Sequence, residues 1–139
     1  MKWSARQSYY IDILKNLGIW KNSLGDRLDY YLEPGSMYHP DPKGEHFTGL
    51  ATKGHGAYLA IKDKMPEARL FLSEASMKVL DHLVSEYWSI TEIEVSSTAE
   101  YLERAFEEVK AAYEKLLAHA KNDLKRSQYL DIVQAFKSK

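Results

Sequence analysis

Between residues 97 and 124, Leu102, Phe106, Val109, Tyr113, Leu116, Leu117, Ala120 and Leu124 recur every three or four positions, with Glu103, Glu107, Lys110, Glu114 and Lys121 filling the other side. This spacing is one apolar stripe on an α-helix much longer than the average. Such a helix cannot bury its stripe alone, so partner helices must come from elsewhere. The segment therefore fixes an all-α assembly and carries no chemistry of its own.

Three further stripes supply the partners. Ser4-Ala5-Arg6-Gln7 has the form of a capping box, in which Ser and Gln each satisfy a backbone N–H of the first turn. From it Tyr10, Ile13, Leu14, Leu17, Trp20, Leu24, Leu28 and Tyr31 keep helical phase through Gly18 and Gly25, predicting a helix over about 4–32. Glu33-Pro34-Gly35 ends it, because the residue before a proline is pushed out of the helical region. A second helix is expected over about 45–65 from Phe47, Leu50, Tyr58, Ile61 and Met65, stopping before Pro66. Its clearest part is 56–64, since Gly44, Gly49 and Gly54 dilute the pattern upstream. Leu70-Phe71-Leu72 reads as an apolar anchor packed under the helices, with Ser73 capping the next helix.

Met77, Leu80, Leu83, Val84, Tyr87 and Trp88 predict a third helix over about 74–89, and residues 91–95 a connection rather than a strand. Ser97-Thr98-Ala99-Glu100 is a second capping box that opens the long helix of about 97–125. Beyond Leu124 the phase breaks, and Tyr129, Ile132, Val133 and Phe136 form a separate stripe over 127–137. Two long and two shorter helices pack naturally as an antiparallel four-helix bundle with a short C-terminal helical extension. With 139 residues, the chain is expected to be one domain.

Composition excludes several chemistries. A formal charge of -1 gives no overall field toward nucleic acid or acidic membranes. The absence of cysteine removes disulfides, thiolate metal sites and cysteine nucleophiles, and fits a reducing cytoplasm. No window approaches a membrane span and no apolar signal core follows Met1. No phosphate-loop, dinucleotide or hydrolase-elbow motif occurs.

His39, His46 and His55, with Asp41 and Glu45 beside them, are the one histidine group that could hold a metal or move a proton. Their spacings of seven and nine residues match no zinc pattern. A di-iron bundle needs Glu three residues before a core histidine, and Val79 and Leu116 stand before His82 and His119. Neither of those histidines has an arginine a few residues away on its helix, which argues against a small helical ribonuclease. No cofactor is expected. Lys121, Lys125, Arg126, Lys137 and Lys139 make the C-terminal region the most basic, as suits cations at the end of a helix.

Ten tyrosines and three tryptophans remain. Tyr9-Tyr10, Tyr30-Tyr31 and Tyr87-Trp88 cannot all point inward, so some aromatics should stay on the surface, where they favour protein contacts. Trp20 and the phase-shifted Tyr129, Ile132 and Phe136 are the expected contact residues. The expected function is a non-catalytic interaction module, bacterial or phage and cytoplasmic, with a protein partner or a second copy of itself. The alternative is a small metal-dependent or acid-base enzyme built on His39, His46 and His55.

The opening, Lys2-Trp3-Ser4-Ala5-Arg6-Gln7-Ser8-Tyr9-Tyr10, resembles the stretch after the membrane helix in many bacterial proteins whose helical cytosolic domain hangs from one N-terminal span. That resemblance implies an anchor removed or lost ahead of the chain. It transfers no functional residue.

Overall fold

The computed structural model describes residues 3–32, 44–91 and 97–137, and every regular element among them is helical. The elements are α1 (Ala5–Leu32), α2 (Glu45–Ala68), α3 (Glu74–Ser89), α4 (Thr98–Asp123) and α5 (Arg126–Lys137). The caps form as their sequences dictate. Ser4 N–H donates to Gln7 Oε1 at 3.0 Å and Gln7 N–H to Ser4 Oγ at 3.1 Å, a reciprocal pair at the start of α1. Ser73 Oγ accepts from Ser76 N–H, and Ser97 Oγ from Glu100 N–H, both at 3.2 Å.

Two boundaries differ from expectation. α2 runs through Pro66 to Ala68, so three helices are long rather than two. Proline removes one backbone donor but already has helical φ, and Pro66 sits on an exposed face in the last turn. Met65 and Ala68 beside it are buried and hold the turn in place. The Leu70-Phe71-Leu72 anchor is only partly real: Leu72 is buried, whereas Leu70 is 81% exposed. The turn closes through Leu70 N–H to Glu67 O at 3.0 Å and Phe71 N–H to Ala68 O at 2.9 Å, which carries Leu70 outward. Glu33-Pro34-Gly35, and the 91–95 connection beyond Thr91, lie outside the described residues.

Contacts fix how the helices run. Along α1 and α2, Tyr9 donates to Glu67 at 2.8 Å and Asp12 meets Lys64 at 3.2 Å. Further on, Ser23 Oγ donates to Leu50 O at 2.6 Å, and at the far end the Tyr30 and Phe47 rings lie 5.2 Å apart. Numbers rise on one helix as they fall on the other. The same holds for α1 against α4, from Tyr10–Asp123 to Gly25 beside Phe106. It holds again for α3 against α4, from Ser76–Asp123 through His82–Glu108 to Tyr87–Tyr101.

α5 leaves α4 through Leu124, whose extended backbone (φ -102°, ψ 155°) breaks the helix, and it folds back beside α1. Gln7 Nε2 donates to Gln128 O at 3.1 Å, and Phe136 borders a hollow with Leu14 and Gly18. The core is where the stripes meet: Tyr10, Ile13, Leu17, Trp20 and Leu24 from α1, Ile61 from α2, Leu80 and Leu83 from α3, and Leu102, Val109 and Leu116 from α4. No helix among the described residues is long and apolar enough to cross a membrane.

Candidate interaction surface

The sequence-derived contact residues are mostly core. Trp20 is 2% exposed, its ring 5.0 Å from that of Tyr58 and edge-on to Tyr87 at 4.8 Å. Ile132 is fully buried, and Tyr129 and Phe136 are half-buried against the same core. The expectation that Trp20 and Ile132 face a partner is therefore corrected: each lies on its helix's apolar stripe and follows it inward. The C-terminal stripe is rotated from that of α4 because it belongs to a separate helix packed on α1.

The histidines are not brought together. His46 and His55 both lie on α2 and are exposed. Nine residues along a helix turn them about half a revolution apart and separate them by about 13 Å along the axis. His46 sits 6.1 Å from the Tyr30 ring and His55 6.1 Å from that of Tyr58. His39 lies outside the described residues. Among the described residues, no group of three His, Asp or Glu is arranged to hold a metal ion.

The large apolar side chains that do reach solvent are others. Trp88 is 57% exposed on the last turn of α3, Leu130 49% on α5 and Leu59 43% on α2, in addition to Leu70. A sequence signal for them exists. Two consecutive apolar residues on a helix point about 100° apart, so both are buried only where the packing is wide enough, as at Ile13 and Leu14, and elsewhere one of the pair reaches solvent. In Tyr87-Trp88, Tyr58-Leu59 and Tyr129-Leu130 the second residue is the exposed one. Trp88 stands on a firm base, because the Tyr87 hydroxyl is 2.7 Å from that of Tyr101 on α4.

Polar groups inside the fold tie helices together. At the end where α1 begins, the Tyr10 hydroxyl donates to the Asp123 carboxylate and lies 2.7 Å from Ser76 Oγ, joining α1, α3 and α4. Burial pushes the Tyr10 phenol up to about 12, with the Asp123 carboxylate adding to the effect. Tyr87 is raised by burial and then by its Tyr101 neighbour. Both phenols stay protonated and hold structure. On the turn between α2 and α3, the Arg69 guanidinium makes two hydrogen bonds to Asp81, at 2.8 and 3.0 Å, and holds that carboxyl below its usual range.

A groove of about 190 Å³ runs between α3 and α4, floored by Val79, Leu83 and Ala112 and rimmed by Lys78, His82, Lys115 and Glu108. Across it His82 Nε2 lies 3.8 Å from Glu108 Oε2, open to solvent, and Lys78 on the rim lies 3.7 Å from Glu74. Comparison with protein-family models, curated proteins and solved structures finds no match.

Proposed function

We propose that this chain is a non-catalytic helical protein-interaction module, built as an antiparallel four-helix bundle with α5 as an extension, and acting in the cytoplasm. The observation that carries the reading is Trp88, more than half exposed on a helix whose neighbouring side chain is fixed in the packing. Tryptophan on a rigid base is the residue type most enriched among energetic anchors of protein contacts. A second copy of the chain is the simplest partner. The contacts along α1/α2, α1/α4 and α3/α4 support the bundle arrangement.

Light scattering of tag-free protein from micromolar to millimolar concentration, with metal assayed in the same sample, tests the proposal. Its expected outcome is a metal-free dimer that Trp88→Glu returns to monomer without lowering the melting temperature. A monomer holding stoichiometric metal would overturn it and bring the histidines forward.

A further inference from the structure

One end of the molecule joins the most exposed apolar side chain to a group of cations. Arg6 fixes the geometry: its Nε donates to Phe71 O at 2.7 Å and its guanidinium also reaches Asp123 O at 3.3 Å. A single side chain thus holds the Leu70-Phe71 turn against the end of α4. Leu70 projects from that turn at 81% exposure. Lys121, Lys125 and Arg126 run from α4 into α5, exposed and without an ion pair among the described residues. Of the nearby carboxylates, Asp81 is paired with Arg69 and Glu74 lies 3.7 Å from Lys78, while Glu67 and Asp123 accept from the hydroxyls of Tyr9, Tyr10 and Ser76 and keep their charge.

The dipole of α4 accounts for Lys121 in its last turn, but local helix stability does not account for Arg126. Arg126 opens α5, whose first turn holds no acid, and the positive end of a helix dipole repels an arginine there. Among the described residues, the first turns of α4 at the opposite end carry the reverse charge, with Glu100, Glu103, Glu107 and Glu108 against Arg104. Charge is therefore polarised along an axis of about 40 Å.

We infer that this end docks on an anionic lipid surface, Leu70 entering the headgroup layer and Arg126, Lys125 and Lys121 meeting the lipid charge. End-on docking points the acidic end away from the membrane, so field and apolar tip favour the same orientation. Leu70 favours a lipid surface, whose headgroup and acyl boundary takes up a projecting apolar side chain. The inference does not rest on Trp88, which lies at the other end.

The test is sedimentation of the tag-free full chain with vesicles of phosphatidylcholine alone or mixed with phosphatidylserine. Binding is expected only to the mixed vesicles, weakening with salt. Leu70→Glu should reduce it at least tenfold, and Arg126→Glu should reduce it about fivefold or more. Both Leu70 and Arg126 are exposed, so helix content and melting temperature serve as folding controls. No sedimentation with mixed vesicles at low salt would overturn the inference. So would binding that Leu70→Glu leaves intact, or equally tight binding to double-stranded DNA, either of which would make the patch a general polyanion site.

Discussion

Replacing the glycines of α2 by alanine, one at a time, separates helix propensity from helix packing. Alanine is favoured over glycine inside a helix by about 1 kcal/mol. At Gly49 and Gly56 a Cβ would meet nothing within 4 Å, so both substitutions should stabilise the fold by about 0.5–1 kcal/mol. At Gly54 the same Cβ would lie 2.4 Å from Ser23 Oγ and 2.8 Å from Ser23 Cβ. Ser23 is 3% exposed and its hydroxyl already donates to Leu50 O at 2.6 Å, so it cannot swing aside without forfeiting that bond. Overpacking of about 1–3 kcal/mol and a weakened buried hydrogen bond of about 1 kcal/mol outweigh the propensity gain. Gly54→Ala should therefore destabilise by about 1–3 kcal/mol. Urea denaturation monitored by helix circular dichroism reads the difference, with an unchanged slope showing that the unfolded state is not responsible. Adding Ser23→Ala should recover part of the loss, because it removes the closer of the two contacts. Gly54→Ala as stable as Gly56→Ala would refute the packing argument.

The core sets two further outcomes. Ile132→Asp should lower stability by about 3–4 kcal/mol, since it removes a fully buried side chain and places a carboxylate among α1 and α4; Phe136→Asp, at a half-buried position, should do less, and an unchanged melting temperature for Ile132→Asp would show that α5 does not pack. The Tyr10 phenol lies above its unfolded value of 10 in the fold, so its contribution is complete below pH 10 and is lost as pH rises toward 12. Denaturation midpoints measured stepwise through that window should fall, and Tyr10→Phe should make the fall shallower, leaving the part due to Tyr87.

Most of the helical framework is legible in the sequence because burial is periodic. Tyr10, Ile13, Leu17 and Leu24 are predicted and found on one buried face, and Ser73 and Ser97 cap where their spacing places them. Trp20 shows the same rule from the other direction: its stripe position is a better guide than the general preference of tryptophan for interfaces. α2 is harder to read, because Gly54 looks like a loop residue. In the structure it is the point where α2 approaches Ser23 of α1 too closely for any side chain. A glycine that permits helix contact and a glycine that permits a turn are identical in one dimension.

The surface is less legible for a related reason. Leu59 and Leu130 reach solvent at positions the stripes leave out, but Trp88 and Tyr31 reach it from positions the stripes include, with Tyr30 buried in place of Tyr31. Electrostatic readings also need boundaries that the sequence blurs. If one helix continued past Leu124, Lys125 and Arg126 would be cations near its C-terminal end, where its dipole favours them. Because Leu124 is extended and α5 begins at Arg126, the same arginine lies at a helix N-terminus and the sign of that local interaction reverses. A break of two residues thus turns a cation that the dipole of a continuous helix would favour into one that the dipole of α5 opposes, while Lys121 stays favourably placed at the end of α4.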